Sequence, residues 1–234
     1  MRRPGAGVRG PIKEVPVRQA TSLTKTALLV GAMILALCLR AEAQETRLLT
    51  VAGGCFWCVE ADFERVPGVG DVVSGYTGGD VANPTYRQVV RGGTGHYEAV
   101  QIPYDPSVVS RAELLALFFR SVDPTDAGGQ FCDRGPSYRT AIFVDGPEAL
   151  AEAEAAKAAA EAELGQPVVT PILEPGPFYA AEAYHQDYYR QSGIILTRGG
   201  PMTKANAYKF YREGCGRDAR IRQLWGDDAP FLPS

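Results

Sequence analysis

Residues 48–60 read Leu48-Leu49-Thr50-Val51-Ala52-Gly53-Gly54-Cys55-Phe56-Trp57-Cys58-Val59-Glu60. The apolar run at 48–52 has the length of a buried strand. Two glycines break it, and a helix start follows. That order puts Cys55 where the first free backbone N–H groups of a helix point outward, a position that favours negative charge. A thiol there is expected to ionise more readily than a free cysteine, whose pKa is about 8.5. Two large aromatics come next and a second thiol, Cys58, lies three residues on. A thiolate beside an aromatic wall suits a soft, methyl-bearing sulfur group. The competing reading of residues 53–60 is a buried structural cysteine in a core turn.

Outward from this stretch, strands and helices are interleaved. Residues 47–52 read as a strand, 55–65 as a helix ended by Pro67-Gly68, and 69–76 as a second strand stopped by Gly78-Gly79. Residues 77–95 carry Asn83-Pro84, Gly92-Gly93 and Gly95 and read as loop. Residues 97–104 alternate as a strand. Ser110-Arg111-Ala112-Glu113 is a capping box, and Leu114, Leu115, Leu117, Phe118 and Phe119 then supply an apolar helix face. Residues 123–135 read as loop, 138–144 as strand, 147–164 as a long solvated helix stopped by Gly165, 168–174 as strand and 178–191 as a short aromatic helix. The crossovers are irregular and several strands look adjacent. The expected fold is therefore α+β, one domain built as a mixed sheet with packed helices in the manner of a ferredoxin-like α/β roll. Cys215 stands between Gly214 and Gly216, which suggests a mobile thiol on a flexible C-terminal segment.

The first 43 residues differ from the rest. Arg2, Arg3, Arg9, Lys13, Arg18 and Lys25 face a single acid, Glu14, and residues 27–39 are an uncharged apolar stretch of 13. Arg40 and the triplet Ala41-Glu42-Ala43 follow. This is the layout of a secretory signal peptide, and 13 residues fall short of the roughly 20 that span a bilayer core. The expected boundaries are 1–43 for the signal, 44–198 for the main domain and 199–234 for the segment with Cys215. Export, to a periplasmic destination, is the expectation. The alternatives are an uncleaved inner-membrane anchor, or a cytoplasmic protein whose front is mis-assigned. Cleavage removes seven basic and two acidic residues and leaves 17 against 25, a net charge of −8. Such a chain is not built for nucleic acid or for an anionic membrane surface. Four cysteines remain after cleavage. About 190 residues can bury a sufficient core without disulfide staples, so redox use of some of these thiols is at least as natural.

Six short motifs then occur in one order: Gly54-Cys55-Phe56-Trp57, Gly75-Tyr76-Thr77-Gly78-Gly79, Asn83-Pro84-Thr85-Tyr86, Thr94-Gly95-His96-Tyr97-Glu98, Asp123-Pro124-Thr125 and Tyr138-Arg139-Thr140. Together, across about residues 47–190, the chain resembles peptide methionine sulfoxide reductase A. The resemblance implies reduction of methionine S-sulfoxide, free or in proteins, with Cys55 as nucleophile and Glu98 as the acid that protonates the departing oxygen. It implies that Tyr86, Tyr138 and Asp133 hold that oxygen and that Phe56 and Trp57 pack on the S-methyl group. The sulfenic acid left on Cys55 then condenses with a second thiol, and an external thioredoxin-like dithiol reduces the disulfide. No metal and no organic cofactor is implied, and a monomer is expected. Many relatives resolve with a C-terminal cysteine and lack Cys58, whereas this chain has both. The expectation is that Cys215 resolves first and that Cys58 takes over the disulfide or resolves directly. Cys132 is read as a spectator.

Two other classes compete. A thioredoxin-like oxidoreductase using Cys55 and Cys58 leaves Glu98 and Tyr86 without a task. A secreted binding module would have all four cysteines locked. His96 and His185 are the only histidines. With no second C-x-x-C, a zinc site is not expected, and His185 reads as a structural hydrogen-bonding residue.

Overall fold

The computed structural model describes residues 45–233, and the expected signal segment lies outside them. The first apolar run forms β1 (Arg47–Gly53), followed by α1 (Phe56–Phe63). Then come β2 (Val73–Thr77), α2 (Tyr86–Arg91), β3 (Tyr97–Tyr104) and α3 (Arg111–Phe119). A small hairpin, β4 (Gly129–Gln130) and β5 (Asp133–Arg134), precedes β6 (Thr140–Phe143), α4 (Pro147–Leu164), β7 (Ile172–Leu173) and β8 (Tyr179–Ala180). A second hairpin, β9 (Ile194–Thr197) and β10 (Gly200–Thr203), leads into α5 (Lys204–Gly214) and α6 (Arg217–Trp225).

The main sheet has six strands in the order β7-β6-β1-β3-β2-β8. All pairs are antiparallel except β6–β7, so the sheet is mixed. β1 lies next to β3, with Leu49 opposite Ile102 and Val51 opposite Val100. Alternation along the strands sends Leu49, Val51, Val100, Ile102 and Ile142 to one face. There they meet Phe56, Val59 and Phe63 of α1, Leu114, Leu115, Phe118 and Phe119 of α3, and Ile221 and Trp225 of α6. Full burial of each such side chain stabilises by roughly 1.5–3 kcal/mol. The opposite face carries a smaller cluster of Ala52, Tyr97, Ala99, Ala141 and Phe143. Gly53 faces the helices, and a Cβ there would lie 2.9 Å from Val59 Cγ2, so α1 packs this close only on a glycine.

The capping box forms as expected: Ser110 Oγ accepts from the Glu113 backbone N–H, and the Glu113 carboxylate accepts from the Ser110 N–H. Such a cap is worth about 1 kcal/mol. Five expectations shift, two of them simply: the loop at 123–135 holds the β4–β5 hairpin, and the strand at 168–174 is only Ile172–Leu173. The strand at 69–76 is ordered as one only from Val73, with a lone bridge at Val69. The loop at 77–95 contains α2, started by a Thr85–Gln88 capping box. The stretch at 178–191 is not a helix. Tyr179 pairs with Tyr76, Asp187 takes a left-handed φ of 55° and donates its N–H to Glu60, and only Tyr188–Arg190 makes a 3-10 turn. Contacts to the sheet edge and to α1 override the local helical pattern there.

The C-terminal segment from residue 199 is not a flexible appendage. It belongs to the same compact unit as the sheet. Ala207, Arg217, Ile221 and Trp225 are buried, and Arg212 bridges Asp62 of α1 (2.9 Å) and Asp218 of α6 (2.8 Å). No helix among the described residues is long and apolar enough to cross a membrane.

Candidate active site

Cys55 caps the N-terminus of α1. Gly54, just before it, has φ +81°, and a Cβ there would sit 2.5 Å from Gln130 Cβ. The β4–β5 hairpin is thus pressed against the residue that delivers Cys55. Gln130 is fully buried and pinned there, accepting from Asp123 N–H and donating to Asp123 O, both at 2.8 Å.

Glu98 shares the alternation of Val100 and Ile102, so β3 aims it at the helix layer. It arrives under the start of α1, where the Phe56 N–H donates to Glu98 Oε2 at 3.2 Å. The side chain is 1% exposed. Burial pushes its pKa up to about 8, with nearby Asp133 adding to the effect and the bonds from Phe56 and Tyr138 opposing it. At neutral pH this carboxyl carries a proton. Tyr138 is hydrogen-bonded to both Glu98 and Tyr86. Burial, reinforced by the Glu98 charge, pushes both phenols up, so they stay protonated donors. Asp133 forms a further wall, its pKa raised by burial and held back by Arg217.

The thiols differ from the expectation. Cys55 and Cys58 are both free and hydrogen-bonded to each other. The bond from Cys55 and the charges of Arg217 and Arg212 bring Cys58 down to about 7, against its burial. Cys55 is pushed well up by that bond, by burial and by the charge of Cys58, with Glu98 and Asp133 adding to it. The pair shares its first negative charge between the two sulfurs, and Arg217 and Arg212 draw it toward the Cys58 side. The reason is local: Glu98 already uses the Phe56 N–H, and both arginines stand on the Cys58 side.

The aromatic wall is braced from behind. Trp57 stacks on Tyr188, centroids 3.7 Å apart and planes at 9°, and donates Nε1–H to His185 Nδ1 at 3.2 Å. His185 is buried, and burial lowers its pKa to about 4, so it is neutral and accepts this bond. Its ring lies 5.2 Å from Phe56 and 4.4 Å from Tyr86. His96 holds the Gly79 N–H and the Val81 carbonyl, a turn-fixing role.

All nine residues singled out from the sequence (Cys55, Phe56, Trp57, Cys58, Tyr86, Glu98, Asp133, Tyr138 and Cys215) border one cavity of about 580 Å³. The cavity also has walls that the sequence reading missed: Tyr188, Tyr208, Arg212, Arg217 and Cys132. Cys132 is not a spectator. It forms a disulfide with Cys215, Cα atoms 4.9 Å apart. Nor is Cys215 a hinge-borne thiol. Gly214 ends α5, and Gly216, at φ +70°, makes the corner into α6. The glycines serve a tight helix–helix turn. Two arginines within three residues of Cys215 were the available signal that this segment belongs to a thiol site.

The family model described as peptide methionine sulfoxide reductase matches residues 47–214. Peptide methionine sulfoxide reductase MsrA 2 of Rhizobium meliloti (strain 1021) is 48% identical over 193 residues, covering 82% of this chain and 90% of its own. The MsrA of Bacillus subtilis (strain 168) is 46% identical over 186 residues, covering 79% and 98%. Among solved structures, the reduced form of Mxr1 from Saccharomyces cerevisiae is similar with a TM-score of 0.59 and 32% identity, over 63% of this chain and 86% of that one. Methionine sulfoxide reductase A of Corynebacterium diphtheriae gives 0.57 and 31%, over 69% and 85%.

Proposed function

The chain belongs to the peptide methionine sulfoxide reductase family, and on that premise we propose how its own residues reduce methionine S-sulfoxide. The observation that carries the reading is that Cys55 and a protonated, desolvated Glu98 meet at one helix start and line a single cavity.

The S-methyl group packs on Phe56 and Trp57, where sulfur–ring contacts contribute about 0.3–1.5 kcal/mol each. The sulfoxide oxygen is held by Tyr86, Tyr138 and the Glu98 carboxyl, donors in a water-poor site. As Cys55 attacks the sulfoxide sulfur, Cys58 takes the Cys55 proton and Glu98 protonates the oxygen. The protonated oxygen passes as hydroxyl from the substrate sulfur to Cys55 Sγ while the transient bond between the two sulfurs breaks, so methionine leaves with the electron pair and Cys55 is a sulfenic acid. Asp133 borders the same cavity, its pKa raised by burial and opposed by Arg217. A second thiol, Cys215 or, when that is paired, Cys58, condenses with the sulfenic acid and releases water. An external dithiol protein of the thioredoxin kind returns the electrons by exchange. All of these groups come from one chain, so a monomer suffices, and no metal or organic cofactor has a step to perform.

The protein acts after export, with residues 1–43 removed. The net charge of −8 on the remainder fits work on free methionine sulfoxide and oxidised proteins rather than on nucleic acid or membrane. N-terminal sequencing of the fractionated mature chain checks this, and a cytoplasmic chain beginning at Met1 contradicts it. For the reaction, dabsylated methionine S-sulfoxide with dithiothreitol is turned over by the wild type, while the R epimer is not and Cys55→Ser does neither. Retained activity in that variant overturns the assignment of Cys55.

A further inference from the structure

The hairpin of β9 and β10 is not part of the six-stranded sheet, and among the described residues its two strands pair only with each other. Ile194 and Leu196 of β9 are 76% and 81% exposed, and Pro201, opposite Leu196, is exposed as well. A single exposed aliphatic is ordinary, whereas an apolar strand with a free edge is a template for another chain. Ile195, between the two, takes the other face of the strand. It borders the catalytic cavity, as do Arg198 in the hairpin turn and Tyr211 of α5. The rim of the cavity is therefore continuous with the free edge. Arg212 and Arg217 of the same cavity are engaged, by Asp62 and Asp218 and by the carbonyls of Gly53 and Ser121. Arg198 is exposed and has no hydrogen bond or ion pair among the described residues.

We propose that the free edge of β9 docks the main chain on either side of the oxidised methionine, so that an extended segment of an oxidised protein adds as a third strand to the hairpin. This rests on the reading of Cys55 as nucleophile. Strand alternation supplies the geometry. A residue of the added strand that shares the face of Ile195 sends its side chain to the cavity side. The residues before and after it then lie on the face of Ile194 and Leu196. One register thus presents the sulfoxide to Phe56 and Trp57 and covers two exposed aliphatics with its neighbours. Main-chain hydrogen bonds along the edge hold the segment whatever its sequence, which suits repair of methionines in unrelated proteins. Apolar neighbours add contact with Ile194 and Leu196, and a carboxylate farther along the segment meets the unengaged Arg198. The occupant is an extended, apolar segment with an acid near its oxidised methionine. Free methionine sulfoxide has no neighbours and makes no use of this edge.

The test compares kcat/KM of the full chain on free methionine S-sulfoxide and on a blocked peptide with valine on both sides of the oxidised methionine. Dithiothreitol is the reductant throughout. The double variant Ile194→Ser/Leu196→Ser is expected to lower the value for the peptide roughly tenfold, the scale of two lost cross-strand pairs, and to leave that for the free amino acid unchanged. With the wild-type chain, N-methylation of alternate peptide amides lowers turnover in one register and not in the other, because only one set of amides faces β9. Glutamate in place of glutamine near the oxidised methionine raises kcat/KM in the wild type and not in Arg198→Gln. A double variant that affects both substrates alike, or neither, overturns the proposal, and so do equal losses from N-methylation in both registers. A loss that appears only when thioredoxin replaces dithiothreitol gives the hairpin to the reductant. A change of mass in sedimentation gives it to a second copy of the chain, and either result overturns the proposal. A wild type inactive on the free amino acid overturns the reading of Cys55, and the docking edge falls with it. That failure is recognised without any variant.

Discussion

The Phe56 backbone N–H donates to Glu98 Oε2 at 3.2 Å, joining the first residue of α1 to the middle of the sheet. A helix N-terminus ordinarily favours nearby anions. Here its first free donor goes to the Glu98 carboxyl, and the charge on the thiol pair is favoured by Arg217 and Arg212 on the Cys58 side. The two halves of the reaction are in this way assigned to different partners of the same helix end. Glu98 keeps its proton through burial, and the thiol pair loses one through the arginines.

That division predicts a bell-shaped pH dependence of kcat/KM. Activity rises as the Cys55–Cys58 pair loses its first proton at about 7 and falls as Glu98 loses its own at about 8. Glu98→Gln keeps the shape of the side chain but cannot give up a proton, and loss of a positioned acid costs roughly 10²–10⁴-fold. The alkaline limb disappears from whatever activity remains. An alkaline limb unchanged in Glu98→Gln assigns that titration to another group.

Stability carries the same signature with a definite sign. The Glu98 pKa is about 8 in the folded chain against an ordinary value of 4.5. Across that window the native state binds a proton that the unfolded chain has released, so this contribution to stability falls as pH rises and is gone above about 8. Glu60, buried and pushed up to about 7, acts in the same direction. Urea unfolding between pH 5 and 8.5 is expected to show a flatter decline in Glu98→Gln than in the wild type.

His185 is expected to act through Trp57. With His185→Phe the ring contacts to Phe56 and Tyr86 survive in kind, but the Trp57 N–H loses its acceptor. A part-buried donor left unpaired costs about 1–3 kcal/mol, which the indole can recover by turning away from Tyr188. The methyl pocket then loses its wall. KM for the sulfoxide rises more than kcat falls, and the tryptophan fluorescence shifts. An unchanged KM places His185 outside substrate binding.

Much of this was legible in the chain order of residues. A short apolar run located β1, period-two alternation located β3, the capping box located α3, and Gly146-Pro147 with Gly165 bounded α4. The same alternation that buries Val100 and Ile102 also buries Glu98, although it was the family resemblance and not the alternation that singled out this carboxyl as the acid. What escaped depended on contacts distant in sequence. Residues 178–191 have a helical pattern, yet Tyr179 is drawn to the sheet edge and Asp187 to Glu60. Cys132 and Cys215 are 83 residues apart, and nothing local in either pairs them. Arg217 links their loops by stacking on Phe131, a tertiary contact invisible to spacing. The pull of charge toward Cys58 escaped for the same reason, because both arginines arrive from the far C-terminus.

Gly54 offers the sharpest separation of backbone strain from site geometry. Its φ of +81° is matched by Gly92 at +85°, and an alanine at either costs about 1–3 kcal/mol for the positive φ. Around Gly92 a Cβ meets nothing within 4 Å, whereas at Gly54 it lies 2.5 Å from Gln130 Cβ and 3.0 Å from its Cγ. Gly92→Ala is therefore expected to lose stability and retain catalysis. Gly54→Ala must push the β4–β5 hairpin away from α1, and Asp133 and Cys132 move with it. It is expected to lose more stability than Gly92→Ala in urea unfolding, and its kcat/KM falls beyond what the unfolded fraction explains. Equal losses in the two variants show that the hairpin yields freely, and its seat on Gly54 then does not organise the site.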